Sequence, residues 1–383
     1  MRRIIPIQLI ALLGIACAAP AQNPALQSPT PGSTPDVVRA VTIAEGLENP
    51  WGLEFLPDGR MLVTERPGRL RIVTEDGKVS APLPGVPAVL ARNQGGLLDV
   101  AIDPEFEQNR YVYLTFSEPG DEPNTASTAV GRGRLSDNGI EGFTVLYRQV
   151  PKVQSFGHYG SRIAFGRDGT MWVTAGDRQN QRPLVQNLGT GIGKIVRINR
   201  DGSVPADNPF VGRDDALPQI WSYGHRNLQG ATVHPETGRL WTVEHGARGG
   251  DELNHPEAGK NYGWPVITYG VDYSGVKIGE GTHKEGMEQP VYYWDPVIAP
   301  SGMTFYTGGR YPGWDGSLLI GSLTPGALVR LELDGDRVVK EERYLGEMNM
   351  RVRDVVQGPD GYLYIVNDAA DGKVMRIVSA GMP

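Results

Sequence analysis

The chain has 383 residues, 39% of them hydrophobic, with one cysteine and a formal charge of −7. An acidic chain without a basic stripe is not suited to nucleic acid, and a lone cysteine excludes a disulfide framework. With 51 glycines and 30 prolines, about a fifth of the chain, the composition stops short of disorder and suits a turn-rich all-β protein.

Arg2 and Arg3 precede an apolar run over residues 4–19 and the triplet Ala19-Pro20-Ala21, which has the small-x-small form of a signal-peptidase site. Residues 1–21 therefore read as an export signal directing the protein to the periplasm. The run is shorter than the roughly 20 residues that a membrane helix requires, and no later segment is long and apolar enough to span a bilayer. Cys17, preceded by Leu13-Gly14-Ile15-Ala16, leaves a second route open, lipidation and a membrane tether. Without the two leader arginines the formal charge becomes −9. Residues 22–36, rich in Pro, Ser and Thr, read as an extended linker with neither helical nor strand period, so the folded domain is expected over 37–383.

A strand over residues 37–43 comes first and is expected to pair with the last unit of the chain. One phrase then recurs: a lead-in, an alternating apolar strand, a tight turn and a second strand. It reads PWGLEFLPDGRMLVTE from Pro50, QGGLLDVAIDPEFEQNRYVYLTF from Gln94, HYGSRIAFGRDGTMWVTAGD from His158, RNLQGATVHPETGRLWTVEHG from Arg226, SGMTFYTGGRYPGWDGSLLIG from Ser301 and RVRDVVQGPDGYLYIVND from Arg351. Leu53 and Phe55, then Met61 and Val63, show the strand period on both sides of the turn, as do Ile163, Phe165, Met171 and Val173. Asp58-Gly59, Asp168-Gly169 and Asp360-Gly361 supply the positive φ of the turn. Further strands are expected over 69–73, 194–198, 328–333 and 373–377. Short antiparallel strands in six repeats predict a six-bladed β-propeller with four-stranded antiparallel blades. A sandwich or solenoid of the same hairpins is the competing architecture.

In a propeller the first strand of each blade lines the channel, so the residues just before those strands gather at one mouth. Here they are Gln94, His158, Arg226 with Asn227, Ser301, and Arg351 with Arg353. His158 is the candidate base, and Asp177, at the end of the second strand of the same hairpin, is its candidate orienting partner. A structural histidine and a turn aspartate are the plainer alternatives. Arg351 and Arg353 share one face of a strand and propose an acidic ligand, unless internal carboxylates such as Asp354 pair with them. The segment EHGARGGDELN over 244–254 combines glycines with acidic oxygens that suit Ca²⁺, although its spacing is not that of a standard Ca²⁺ loop and an ordinary surface loop fits the same composition. His225, His234, His245, His255 and His283 lack zinc-site spacing. There is no GxSxG, P-loop or dinucleotide-binding βαβ unit.

From about residue 41 to 377 the chain resembles the soluble glucose/sorbosone dehydrogenase family, through NQGGLLDVAIDPEF, IWSYGHRNLQG, EHGARGGDELN, GKNYGWP and RVRDVVQGPDGYLY in the family's order. The resemblance implies a six-bladed propeller holding pyrroloquinoline quinone (PQQ), which carries three carboxylates, and Ca²⁺ at the channel mouth. It implies oxidation of the C1 hydroxyl of an aldose sugar to a lactone, and electron transfer to an acceptor such as a quinone, cytochrome or dye. By matching motifs, His158 is expected to take the hydroxyl proton while hydride passes to the quinone, Asp177 to orient His158, and Gln94 to meet cofactor and sugar. Arg226, Asn227, Arg351 and Arg353 match cofactor-binding positions. The carbonyls of Gly246 and Ala247 match ligands of a catalytic Ca²⁺, and Glu252, Tyr262 and Asp272 match a structural Ca²⁺ site. Trp294, Tyr292 and Tyr293 are expected to wall the substrate pocket. The chain departs from the family pattern at Gly157, Ala247 and Thr324, where Asp, Pro and Lys stand in the soluble glucose dehydrogenases. A Ca²⁺-dependent lactonase or related hydrolase, and a non-catalytic binding propeller, remain the other functions open to such a fold.

Overall fold

The computed structural model describes residues 26–27 and 38–380. The export signal, Cys17 and all of the linker except Leu26 and Gln27 lie outside the described residues. No helix among the described residues is long and apolar enough to cross a membrane.

The described residues form six sheets arranged as the blades of a propeller. The innermost strands are Pro50–Phe55, Leu97–Ile102, Gly160–Phe165, Leu228–Val233, Pro300–Phe305 and Val352–Gln357, one from each repeated phrase. Each continues outward through antiparallel neighbours, as where Ile163 faces Val173 and Val173 faces Val196. Five blades have four antiparallel strands. The first has three, Pro50–Phe55, Met61–Glu65 and Arg69–Val73, and its outer edge is covered by an isolated pairing of Val73 with Val79.

The ring closes as the 37–43 strand predicts. Val38–Leu47 runs antiparallel to Gly372–Ser379, with Val38 opposite Ser379 and Ala40 opposite Ile377, so the sixth blade takes its outer strand from the beginning of the domain. One expectation for the linker changes: Leu26–Gln27 pairs in parallel with Tyr292 and Tyr293 at the edge of the fourth blade. An edge strand offers unpaired backbone groups to any passing segment, so composition gives no sign of such pairing.

The core divides into clusters between neighbouring blades. Leu62 and Leu70 of the first blade pack against Val100 and Leu114 of the second, and Trp172 and Ile195 of the third against Leu228 and Leu240 of the fourth. The seam uses the same device, Leu53 and Val63 packing against Val366 and Val374. Alternation makes this possible, because each strand turns one face to each neighbouring blade.

Two features shape the mouth. Every innermost strand shifts register within its first few residues, for example between Gly160 and Ile163 and between Val352 and Asp354. Such bulges kink the strand and re-aim the side chains beside it. Below them, the buried Arg162 donates to Asp99 and pairs with Asp354, both at 2.9 Å, and stands 4.1 Å from the ring of Trp51. Three blades are thereby tied across the channel, and Trp51 becomes part of the floor of the cavity above.

Candidate active site

All six blades contribute to a cavity of about 410 Å³ at the mouth, including Trp51, Gln94, Tyr159, Asn227, Ala299 and Arg353. Its volume lies in the range of small-molecule sites. His158 directly precedes the lining residues Tyr159 and Gly160 and is only 7% exposed. Its backbone has φ +51°, a conformation that costs a side-chain-bearing residue energy and is held here from several sides. The His158 N–H donates to Gln94 Oε1 at 2.7 Å. Behind it Arg178, fully buried, donates to the carbonyls of Ser155 and Gly157 and lies 3.5 Å from the ring centroid of Tyr159.

His158 Nδ1 lies 2.7 Å from Asp177 Oδ1. The same oxygen accepts from the N–H of Gln179 at 2.7 Å, and Asp177 Oδ2 accepts from Trp264 Nε1 at 2.8 Å. Burial pushes the His158 pKa below its ordinary value. The Asp177 carboxylate opposes this, while the positive charges of Arg226 and Arg178 add to it. Burial alone would raise Asp177, but its bonds to His158 and the Gln179 N–H and the charge of Arg226 outweigh that and hold it below the usual carboxylate range. An ionised carboxylate accepts a hydrogen bond from the Nδ1–H of a neutral imidazole, which leaves the Nε2 lone pair as the free base.

The basic side of the cavity is organised around one acid. Asp368 accepts from Arg353 at 2.8 Å, Arg351 at 3.0 Å and Arg66 at 3.4 Å. Its pKa lies far below the usual range, because the guanidiniums outweigh the cost of burial. Arg353 also donates to Gln229 Oε1 at 3.0 Å, and Arg226 to the His245 carbonyl at 3.0 Å. The Nε atoms of Arg66, Arg226 and Arg353 are buried without a partner. Asp354, the carboxylate considered above as a partner for Arg351 and Arg353, belongs instead to Arg162 below the floor.

A family model for glucose/sorbosone dehydrogenases matches residues 47–376. The chain belongs to the glucose/sorbosone dehydrogenase family. The aldose sugar dehydrogenase YliI of Escherichia coli is 44% identical over 350 residues, which cover 90% of this chain and 94% of that protein. A crystal structure of a glucose dehydrogenase is 50% identical and superposes with a TM-score of 0.87, covering 90% of this chain and 100% of the other. The PQQ-bound form of an aldose sugar dehydrogenase from Streptomyces coelicolor is 27% identical, with a TM-score of 0.73 over 89% of this chain and 97% of its own.

In this glucose/sorbosone dehydrogenase the acidic loop is tightly organised. Asp251 accepts from the N–H groups of Gly246, Ile298 and Ala299 at 2.7 to 2.8 Å. Glu244 bonds His225 Nδ1 at 3.0 Å and the Arg226 N–H at 2.6 Å. The Glu252 carboxyl is pushed well up by burial and by the nearby Glu244 charge, and with Tyr262, Glu244 and Gly246 it lines a second, small cavity. At Gly246 a Cβ would collide with the Gly249 and Gly250 carbonyl oxygens, and the Ala247 methyl packs with Val185, Ile192 and Trp264. Among the described residues no group of three or more His, Cys, Asp and Glu side chains is placed to hold a metal.

Other expected positions fall elsewhere. Asp272 is in a surface turn, paired with Arg182 at 3.0 Å and accepting from the Ser274 N–H, and it does not line the small cavity with Glu252 and Tyr262. Trp294 and Tyr292 are buried between the fourth and fifth blades, where both donate to Glu341, and Tyr293 stacks on Tyr269 with ring centroids 3.9 Å apart. All three lie on Tyr292–Trp294, the outermost antiparallel strand of its blade, and none of them lines the cavity. Ser301 donates to the Val352 carbonyl at 2.6 Å and acts as a brace. At Gly157, Gln179 Oε1 occupies the space a Cβ would need.

Lead-ins alone miss Arg66, His245 and Asp368. Each directly follows a second strand, Met61–Glu65, Leu240–Glu244 or Leu363–Asn367. Because the second strand runs antiparallel to the first, its end returns to the mouth. The same rule already applied to Asp177 would have found them.

Proposed function

We propose that the protein is a PQQ-dependent aldose dehydrogenase, oxidising the C1 hydroxyl of a sugar to a lactone with His158 as the general base. The observation that carries this reading is the buried His158–Asp177 pair beside a cavity with a surplus of guanidinium groups. The cavity's donors fit a polycarboxylate: Arg66, Arg351 and Arg353 line it, the Nε of Arg353 is buried without a partner, and Asp368 is the one acid among them. Arg226, Asn227, Arg351, Arg353 and Gln94 would hold the cofactor. When bound, PQQ supplies the hydride acceptor.

The chain's own part begins at Nε2 of His158. That atom takes the C1 hydroxyl proton as the C1 hydrogen departs with its electron pair, so the sugar loses one proton and one hydride and becomes the lactone. Asp177 stabilises the imidazolium that forms, and Trp264 and the Gln179 N–H keep the carboxylate from turning away. Gln94, bonded to the His158 backbone, fixes the base against the cavity and offers its amide to sugar and cofactor. Electrons leave to a quinone, cytochrome or dye.

The backbone carbonyls of Gly246 and Ala247 are hard donors of the kind that suits Ca²⁺, which would polarise a quinone carbonyl. Glu252 and Tyr262, without Asp272, would hold a structural Ca²⁺ whose binding would release the proton that burial beside Glu244 favours on Glu252. Export through the 1–21 leader, with either cleavage or a tether at Cys17, completes the reading.

The test is reconstitution. Apo-protein is given PQQ and Ca²⁺, and sugar-dependent dye reduction is followed with the cofactor's absorbance. Stoichiometric uptake with sugar oxidation supports the reading. Lactone hydrolysis without quinone would make the protein a hydrolase, and neither activity would make it a binding propeller.

A further inference from the structure

Arg66 has no part in the family-matched set of cofactor residues, yet it stands in the same cavity wall as Arg351 and Arg353. Its backbone is fixed on both sides, its N–H donating to the Asn49 carbonyl at 3.1 Å and its carbonyl accepting from the Leu97 N–H at 3.2 Å. The side chain therefore leaves a rigid root between the first and second blades. One end of the guanidinium donates to the Asn93 carbonyl, and Nε is buried without a partner. The other end reaches Asp368 at 3.4 Å, the longest of the three arginine bonds to that carboxylate.

A structural brace would be the bland account of this residue, and the distances argue against it. Arg353 and Arg351 both meet Oδ2 of Asp368, at 2.8 and 3.0 Å, whereas Arg66 alone reaches Oδ1 and does so at 3.4 Å, long for a charge-assisted bond. Arg66 is thus the most loosely held of the three guanidiniums on Asp368. Its side chain is 22% exposed, against 8% for Arg353, so of these two guanidiniums it is the more open to an arriving ligand. With one carboxylate among Arg66, Arg351 and Arg353, this wall carries two uncompensated positive charges.

We propose that Arg66 is an additional anion-binding residue of the mouth, exchanging its long contact with Asp368 for a carboxylate of the bound ligand. This rests on the PQQ reading for the identity of that ligand, while the chemistry it requires is only a polycarboxylate. The Asn93 carbonyl holds the far end of the guanidinium, so the exchange needs a small swing of one end and leaves the fork pointed into the cavity. Asp368 keeps its two shorter bonds and continues to space Arg351 from Arg353.

The experiment uses metal-loaded, cofactor-free full-length protein, wild type, Arg66→Gln and Arg66→Lys, titrated calorimetrically with PQQ and, separately, with benzene-1,3,5-tricarboxylate, a planar tricarboxylate that is not a quinone. Melting temperatures of the free proteins check that the variants fold. The expected result is at least tenfold weaker binding of both probes to Arg66→Gln, partial recovery in Arg66→Lys, and a smaller loss of affinity with added salt in Arg66→Gln. Equal affinity of wild type and Arg66→Gln for both probes would overturn the proposal, as would failure of wild type to bind either. Arg66-dependent binding of the tricarboxylate without uptake of PQQ would uphold the residue's role and overturn the PQQ reading instead.

Discussion

The Asp177 carboxylate meets His158 through one oxygen and Trp264 through the other, at 2.7 and 2.8 Å, inside a wall from which water is almost excluded. A base held this way cannot rotate without breaking a charge-assisted bond, and the carboxylate cannot follow it without abandoning the indole. Orientation is therefore set before any ligand arrives.

Replacing His158 by Ala should leave cofactor binding within about twofold and lower turnover by roughly 10² to 10⁴, the usual contribution of a positioned general base. Single-turnover kinetics and PQQ titration on the same preparation read the two effects separately. Unchanged turnover would remove His158 as the base.

Because burial holds the His158 pKa below its ordinary value of about 6.5, the imidazole is already neutral on the acid side of neutrality. The acid limb of the kcat/KM profile should accordingly fall below pH 6.5. Asp177→Asn removes the one charge that raises this pKa, so it should move the limb still lower while reducing the maximum. A limb above pH 7 would contradict the assignment.

Lys194 is fully buried, with Nζ donating to the carbonyls of Val185 and Ile192 at 2.7 and 2.6 Å, and burial pushes its pKa down to about 7. Between that value and the ordinary lysine pKa of about 10.4, the unfolded chain binds a proton that the folded chain does not, so stability rises with pH. Wild type should gain on Lys194→Met by up to about 1.4 kcal/mol per pH unit across this window. Urea unfolding at pH 7, 8 and 9 measures the slope, and parallel curves would show that Lys194 is charged in the fold.

Deleting residues 38–47 removes the outer strand of the sixth blade and uncovers Val374, Met375 and Ile377. Loss of a whole strand with its core side chains should lower the melting temperature by more than about 10 °C or prevent folding. Calorimetry decides, and an unchanged melting temperature would mean that the seam bears no weight.

If Glu252 and Tyr262 hold a cation, excess Ca²⁺ should raise the melting temperature by a few degrees and a chelator should reverse it. In Glu252→Gln the Ca²⁺ response should largely vanish, while the cation-free protein should be no less stable than wild type, since burial beside Glu244 forces the Glu252 carboxyl to take up a proton on folding and the amide has no such cost. A full Ca²⁺ response in Glu252→Gln would place the ion elsewhere.

Much of this molecule is local and therefore legible in the sequence. Alternation around Asp-Gly turns gives hairpins, six hairpins give six blades, and the residues ahead of Leu228–Val233 and Val352–Gln357 bring Asn227 and Arg351 to one cavity, with Arg226 in the smaller cavity and His158 next to the lining residue Tyr159. The match of motif order to the glucose/sorbosone dehydrogenases needs no coordinates either. What the chain does not announce is which partner each charged group finds. Arg353 lies next to Asp354 in sequence yet pairs with Asp368, because adjacent residues on a strand point to opposite faces and Asp354 turns down to Arg162. Trp294 looks like a pocket aromatic but sits on the outermost antiparallel strand of its blade, and Asp272 is drawn to Arg182 in a surface turn. Arg66 and Arg351 are 285 positions apart and share a wall only because the ring closes. Strand period and turn chemistry act over a few residues, so the sequence determined the blades; closure, bulges and face selection act across the whole ring, so only the tertiary structure decided the contents of the mouth.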